Sequence, residues 1–272
     1  MAFGRKNWDQ RVGDAEAVAR GPALQAVRDR VLELAAPGAG ETVLDIGAGT
    51  GLLSLALASS VRLVWAIDSS RLMGEYLHVK AESAGLGNVR VVPASATSIP
   101  LVDDAADLVV SNYCFHEMTR SEKLAALGEE YRVLRPGGRL VISDMMFGLS
   151  AWSLRDRRIL VGKLCTIGRR GLPGVLRVLK NAVRIATRRW EHPETAAWWR
   201  TALQRSGFEE ISVELLQHEG GIAAAFRPLG SPSTAAPASP LADRVPSGSP
   251  GAASASVSPL GVRRLLGAPD IH

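Results

Sequence analysis

Cysteine is scarce in this chain, and the sequence has no long, uninterrupted apolar run. Two cysteines among 272 residues cannot build a disulfide framework, and no Cys/His cluster has the spacing of a zinc site, so no metal is expected. Residues 1–14 lack the apolar run of a signal peptide. The most apolar window, residues 51–67, is interrupted by Ser59, Ser60 and Arg62 and is too short to span a bilayer as a helix. These absences exclude secreted, zinc-finger and transmembrane classes and favour a cytoplasmic location.

Acidic residues are nearly missing between Leu149 and Arg200, where twelve Lys and Arg stand against three Asp and Glu. After Pro173, apolar residues lie on one side of a predicted helix, and the other side carries Arg177, Lys180, Arg184 and Arg188. Two compatible interpretations remain open. Residues 146–192 form a basic helical lid whose apolar face packs on the protein, or residues 173–190 make peripheral contact with an anionic membrane. Nucleic acid is the weaker partner, because the segment has few aromatic residues for base stacking.

Aromatic residues are absent from residues 228–272, where 29 of the 45 residues are Pro, Gly, Ser or Ala. Such a composition buries too little apolar area to offset the entropy lost on ordering. We therefore predict a disordered tail over residues 228–272 and a single domain over residues 1–227.

Strand-like and helix-like patterns alternate along that domain. Apolar runs of strand character cover residues 42–47, 62–68, 89–94, 107–113 and 139–145, and helical periodicity lies between most of them. One predicted helix runs through Leu124, Leu127, Tyr131 and Leu134 and ends at residues 135–138. This alternation predicts an α/β fold with a parallel sheet covered on both faces. Two further runs, residues 209–216 and 221–226, are close enough to pair as an antiparallel hairpin.

A glycine-rich loop follows the first predicted strand, in the sequence V-L-D-I-G-A-G-T-G at residues 43–51. Gly47, Gly49 and Gly51 allow the backbone to turn sharply and to approach a ligand closely. Their G-x-G-x-G spacing matches neither the dinucleotide pattern nor a P-loop. Asp45 precedes the loop and suits a ligand that carries an ammonium group. Asp68 ends the second predicted strand, where a carboxylate can accept hydrogen bonds from both hydroxyls of a ribose.

Together these motifs resemble those of class I S-adenosylmethionine-dependent methyltransferases. The later run L-R-P-G-G-R-L-V-I-S-D, residues 134–144, is similar to the small-molecule branch, methyltransferase type 11, which includes ubiquinone and menaquinone biosynthesis enzymes. The resemblance covers residues 22–147 and 195–227. It implies a Rossmann-like, doubly wound, mostly parallel sheet of seven strands with an antiparallel last strand. It also implies an insertion after strand five and S-adenosylmethionine as the cofactor.

The resemblance also implies roles for individual residues. Asp45 and the three loop glycines would hold the methionine and ribose portion of the cofactor, and Asp68 the ribose hydroxyls. Ser69 would lie beside the adenine and Asn112 near the sulfonium. Where the family often has Gly-Asp-Ala after strand three, this chain has Ala94, Ser95 and Ala96, so adenine recognition would depend on Ser95, Ala96 or backbone groups.

His116 is the candidate general base, because an ordinary imidazole pKa near 6.5 suits proton removal near neutral pH. The alternative is a histidine that orders its loop or binds substrate. Tyr113 is the second catalytic candidate, because its ring could face the sulfonium by a cation–π contact, although simple packing is the common role of such residues. Asp144, at the end of strand five, would contact substrate or cap a helix.

The predicted function is methyl transfer from S-adenosylmethionine to a small-molecule or lipid-like acceptor. One alternative is an RNA methyltransferase that binds RNA through the basic residues 150–200. The other is a module that binds the cofactor without catalysis. The sequence does not identify the acceptor or the oligomeric state.

Overall fold

A computed structural model describes residues 7–147, 158, 192–217 and 219–230. Most of the predicted lid at residues 146–192, and the predicted tail beyond residue 230, lie outside these described residues. The division into a domain, a lid and a tail therefore stays a prediction.

The described residues form one sheet of seven strands in the order β3-β2-β1-β4-β5-β7-β6. The strands are β1 (Thr42–Ile46), β2 (Leu63–Asp68), β3 (Val89–Pro93), β4 (Ala106–Asn112), β5 (Leu134–Met145), β6 (Glu209–Leu215) and β7 (Gly220–Phe226). Strands β1 to β5 are parallel, and β7 lies antiparallel to both β5 and β6. The predicted mostly parallel sheet with an antiparallel last strand is thus confirmed. The strand order reverses between β1 and β4, and ligands bind at such a point beyond the carboxyl ends of the strands.

Helices cover both faces of the sheet. They are α1 (Val12–Ala19), α2 (Pro22–Ala35), α3 (Ser54–Ala58), α4 (Arg71–Ser83), α5 (Arg120–Val133) and α6 (Ala196–Arg205), with short 3₁₀ turns at Trp8–Arg11 and Phe115–Glu117. Local sequence sets several of their ends. Thr119 and Glu122 form a capping box at the start of α5, and Ser70 caps α4 through the backbone N–H of Met73.

Two apolar clusters fill the space on the two faces of the sheet. Leu44 and Ile46 of β1 pack with Leu127 of α5 and Trp199 of α6. Val43 points to the opposite face, where α2, α3 and α4 pack. Because side chains alternate along a strand, the fully buried β1 contributes to both clusters. In the described part of the chain, no helix is long and apolar enough to cross a membrane.

The start of β5 differs most from the prediction. The helical pattern predicted through Leu134 ends at Val133, and β5 begins at Leu134 instead of residue 139. Leu134 pairs with Ala106 and Arg139 pairs with Leu108, so residues 135–138 form an irregularity inside β5. Leu134 is buried, as it would be at the end of a helix as well as at the start of a strand, so apolar periodicity alone does not distinguish the two.

Candidate functional site

The glycine-rich loop leaves the carboxyl end of β1 with three backbones in the left-handed region, at φ 71° for Gly47, 53° for Gly49 and 92° for Gly51. A Cβ on Gly47 would overlap the Cys114 side chain, and one on Gly51 would overlap Leu77. At Gly49 an added Cβ would approach only the Gly47 carbonyl oxygen, at 3.9 Å. Packing therefore requires glycine at two of these positions, whereas the third leaves one side of the loop open for a ligand.

Asp68 stands beside this open side, at the carboxyl end of β2. Its two carboxylate oxygens accept hydrogen bonds of 2.8 Å from the backbone N–H groups of Gly49 and Ser70. Burial raises the pKa of Asp68, and these two hydrogen bonds counteract the rise. The backbone N–H of Ser69 also contributes to Asp68, which leaves part of the carboxylate's acceptor capacity for a ligand hydroxyl. The geometry therefore fits the expected contact with a ribose.

Asp45 lies beneath the loop and is almost completely buried. The Ser54 hydroxyl, in the first turn of α3, donates a 2.5 Å hydrogen bond to it. Burial raises the pKa of Asp45 to about 7, and the nearby charge of Asp68 adds to the rise despite the hydrogen bonds from Ser54. A cationic ligand group would favour the ionised form. Sequence reasoning missed Ser54, although a hydroxyl at the start of the helix that follows the loop was visible.

The loop after β3 lies next to Asp68, because the backbone N–H of Ala94 donates to the Asp68 carbonyl oxygen at 3.0 Å. Ser95 is exposed, and its hydroxyl contacts the Thr97 hydroxyl at 2.8 Å. Ala96 is buried. Ser69 is exposed as well, whereas its neighbour Ser70 is buried as the α4 cap. The structure thus brings the expected adenine-side residues to one edge, and their contact with adenine stays a prediction.

Asn112 and Tyr113 lie where β4 ends. The Ser143 hydroxyl of β5 donates to the Asn112 side-chain oxygen, and the Tyr113 backbone N–H donates to the Ser143 carbonyl at 2.8 Å. Tyr113 has a left-handed φ of 52°, which turns the chain sharply at this point. Its ring lies edge-on to that of His116, with the ring centres 6.1 Å apart.

His116 is buried between two carboxylates. Asp144 accepts from the His116 backbone N–H at 2.7 Å and contacts Nδ1 at 2.8 Å, and Glu117 lies 3.3 Å from Nε2. Burial lowers the pKa of His116, but the charge and hydrogen bond of Asp144, with those of Glu117, outweigh it and raise the pKa to about 10. These contacts favour the protonated imidazole over the ordinary pKa near 6.5 on which the general-base prediction depends. Asp144 orients His116 here, a role that the sequence did not reveal.

A second group of charges, also missed from the sequence, holds the chain at residues 192–194 against the His116 loop. The His192 backbone N–H donates to the His116 carbonyl at 2.7 Å, and Lys123 donates to the His192 carbonyl. Glu194, which is buried, accepts two 2.8 Å hydrogen bonds from Arg120. The chain therefore re-enters the described structure at the edge of the candidate site.

The site is acidic where the β1 and β4 loops meet. Burial, and then the charges of four carboxyl groups, raise the pKa of the Cys114 thiol well above its usual range; the four groups belong to Asp68, Asp144, Glu130 and Asp45. A thiol with so high a pKa is a poor nucleophile. Asp45 and Asp68, at the ends of β1 and β2, are the carboxyl groups whose ionised forms a positively charged ligand would favour.

Comparisons with known proteins bear on this site. A family described as "Methyltransferase domain" matches residues 43–138. Demethylmenaquinone methyltransferase of Thermus thermophilus is 42% identical over 120 residues, which are 43% of this chain and 53% of that protein. An uncharacterized methyltransferase of Anoxybacillus flavithermus is 33% identical over 119 residues, 44% of this chain and 54% of that protein. Over residues 43–138 the chain thus matches a methyltransferase domain, in agreement with the resemblance to class I S-adenosylmethionine-dependent methyltransferases, and the similar proteins include demethylmenaquinone methyltransferases.

Solved structures agree with the fold of this methyltransferase domain. An S-adenosylmethionine-dependent methyltransferase from Aquifex aeolicus superimposes with a TM-score of 0.56 at 20% identity, covering 80% of this chain and 97% of that one. At this identity the likeness concerns the fold. The chain spans about half the length of the curated relatives that it matches.

S-adenosylmethionine fits the residues of the methyltransferase site. Asp68 keeps acceptor capacity for a ribose hydroxyl, and the open side of Gly49 admits close approach to the loop backbone. The carboxyl groups of Asp45 and Asp68 suit its positive charges. When bound, S-adenosylmethionine supplies an activated methyl group next to a positive sulfur.

Proposed function

We propose that this chain transfers the methyl group of S-adenosylmethionine to a small-molecule acceptor with lipid-like, quinone-type chemistry. The observation that carries the proposal is the pairing of Asp68 with the open side of the Gly49 loop, above the buried carboxyl group of Asp45. In this arrangement the protein holds a cationic methyl donor at the carboxyl edge of the sheet, with the β4 and β5 ends beside it.

The β4 and β5 ends supply the residues for the acceptor side. His116, fixed through Nδ1 by Asp144, would donate its Nε2–H to an acceptor oxygen in place of the 3.3 Å contact with Glu117, and would then stabilise the anionic form of that oxygen. Tyr113, edge-on to that imidazole, would form a wall beside the methyl donor. Their main contribution would be to hold the acceptor close to the methyl donor and in line with it, since proximity and orientation supply most of the rate acceleration.

Two relatives support the quinone-type acceptor. Over 109 residues, the chain is 42% identical to a demethylmenaquinone methyltransferase of Clavibacter sepedonicus. It is 33% identical over 126 residues to a ubiquinone/menaquinone biosynthesis C-methyltransferase of Rubrivivax gelatinosus. These matches cover less than half of either protein, so the acceptor itself is the part of the proposal that requires experiment.

The direct test is transfer of labelled methyl from S-adenosylmethionine. Reduced naphthoquinones with and without an isoprenoid chain, polar cell-extract fractions and total RNA would be offered separately, and Asp68→Ala would serve as the control with impaired cofactor binding. We expect label in the lipid-soluble quinones. Label only in RNA would favour the RNA methyltransferase alternative. Cofactor binding with no label in any fraction would favour the non-catalytic module.

Peripheral contact with an anionic membrane through residues 173–190 is a separate part of the proposal. It rests on the basic side of the predicted helix, and each Lys or Arg near an anionic surface contributes about 1 kcal/mol. Co-sedimentation with anionic and neutral vesicles would compare wild type with a variant in which Arg177, Lys180, Arg184 and Arg188 are all Gln. We expect the wild type to bind anionic vesicles in a salt-sensitive way and the variant to lose this binding. Equal binding would remove this support for a lipid-like acceptor.

A further inference from the structure

Thr50 lies between the second and third glycines of the loop after β1, and side chains of two helices contact it. The Nζ atom of Lys80, in the last turn of α4, donates a 2.9 Å hydrogen bond to the Thr50 carbonyl oxygen. Thr50 is almost completely buried, and the Lys80 side chain is 22% exposed. The carbonyl therefore has a fixed, charged partner 30 residues away in the chain.

Glu16 of α1 completes this contact. Its carboxylate accepts hydrogen bonds of 2.9 and 3.1 Å from Lys80, one of 2.9 Å from Arg20, and one from the Thr50 hydroxyl. Burial raises the pKa of Glu16, but these hydrogen bonds outweigh burial and lower it, so the carboxylate is ionised near neutral pH. Glu16 and Lys80 thus hold both the side chain and the backbone of Thr50.

The loop needs such support because its glycines lack side chains that would restrict the backbone. Gly49 in particular has open space where a side chain would lie. A loop already fixed in its binding conformation loses less entropy when a ligand binds, and this raises affinity without any new contact to the ligand.

We infer that Glu16 and Lys80 are positioning residues for S-adenosylmethionine, because together they fix Thr50 and with it the glycine loop. The inference rests on the proposed cofactor site. Neither residue is among the expected cofactor contacts, so both would act through the loop backbone. A purely structural alternative exists, in which the pair only attaches α1 to α4.

Arg20 separates the two roles. It also pairs with Glu16, at 2.9 Å, but its side chain is 67% exposed, and no hydrogen bond joins it to the loop in the described structure. Arg20→Met therefore removes a Glu16 partner and leaves the Lys80–Thr50 contact in place, which makes it the matched control for Lys80→Met. Lys80→Arg keeps the charge and a donor, and Glu16→Gln keeps the shape of the side chain while removing its charge.

The experiment measures the Kd of S-adenosylmethionine and of S-adenosylhomocysteine by calorimetry on the full chain, well below the melting temperature of every variant. We expect Lys80→Met to bind about ten-fold more weakly, as for loss of one hydrogen bond from a charged donor. Glu16→Gln should weaken binding in the same direction. Arg20→Met should stay within about two-fold of wild type, and Lys80→Arg should recover most of the affinity.

Wild-type affinity in both Lys80→Met and Glu16→Gln would overturn the inference, and so would an equal loss in Arg20→Met. If Lys80→Met does not fold, Glu16→Gln and Lys80→Arg against Arg20→Met decide by the same criteria. Failure of the proposed cofactor site looks different, since the wild-type protein itself would then bind neither compound.

Discussion

The Asp68 carboxylate accepts a 2.8 Å hydrogen bond from the backbone N–H of Gly49. The side chain that is expected to bind the ribose therefore also holds the glycine loop. The sequence indicated both residues separately, and their contact links the ends of β1 and β2. A substitution at Asp68 therefore affects the loop before any ligand is present.

Asp68→Ala should weaken S-adenosylmethionine binding by at least ten-fold, because a charged acceptor for the ribose hydroxyls is lost, at a cost of roughly 1.5–3 kcal/mol. The melting temperature without ligand should fall as well, since the N–H groups of Gly49 and Ser70 lose their partner. Calorimetry and thermal unfolding measure the two effects. Asp14→Ala, which removes a mostly exposed carboxylate from α1, is the control. Unchanged affinity in Asp68→Ala would contradict the assignment of this edge as the cofactor site.

Gly47→Ala should destabilise the protein without ligand more than Gly49→Ala does. Both positions have left-handed backbones, but only at Gly47 would the added Cβ overlap Cys114. Overpacking costs about 1–3 kcal/mol, whereas a left-handed alanine alone costs about 1–2 kcal/mol. Gly49→Ala should instead act mainly on ligand affinity, because its open side faces the site. Equal melting temperatures for the two variants would show that the Gly47–Cys114 packing is not tight.

Asp45→Asn should stabilise the protein without ligand at pH 8. Burial raises the pKa of Asp45 from 3.8 to about 7, so its contribution to stability is fully present below pH 3.8 and is lost as the pH rises through 7. The amide cannot ionise, and the loss between pH 5 and 8 should therefore be smaller in the variant. Each kcal/mol gained raises the melting temperature by about 2–4 °C. A melting temperature that depends more steeply on pH in Asp45→Asn than in wild type would contradict the raised pKa of a buried Asp45.

The melting temperature between pH 7 and 10 tests the contact between His116 and Asp144. The folded pKa of about 10 lies above the ordinary 6.5, so the stabilisation is fully present below pH 6.5 and is lost as the pH rises through 10. Asp144→Asn removes the charge that raises the pKa of His116, and it should flatten the fall in melting temperature between pH 7 and 10. A histidine NMR titration of both proteins gives the pKa directly. An imidazole that titrates near 6.5 in the wild-type protein would restore the general-base interpretation.

Arg227 marks where the folded chain is expected to end. It is buried, pairs with Asp104 at 2.6 Å, and donates to the carbonyl oxygens of Tyr131 and Leu134. A chain that ends after Gly230 should keep the wild-type melting temperature, because the tail is predicted to add nothing to the core. Arg227→Met in the full chain should lose stability, since each unpaired buried group costs about 1–3 kcal/mol. A large drop on truncation after Gly230 would mean that the tail docks on the domain.

The sequence by itself determined the parts of this protein that depend on local pattern. Apolar alternation located the strands, and three glycines followed by a helix located the loop, because these features follow from the conformations that the residues themselves prefer. Asp45 and Asp68 could be assigned to one edge of the sheet, since the carboxyl ends of parallel strands meet there.

Only the tertiary structure decided which charges meet. Lys80 pairs with Glu16, 64 residues away, and His116 contacts Asp144, 28 residues away, through the pairing of β4 with β5. No local pattern marks such partners, because strand order and helix packing bring them together. Burial is decided at the same level, and it raises the pKa of Asp45, whereas at His116 it opposes the rise that Asp144 causes. The parallel α/β fold and the placement of Asp45 and Asp68 at one edge of the sheet could therefore be predicted from residue pattern, and the pKa shifts of these carboxyl groups could not.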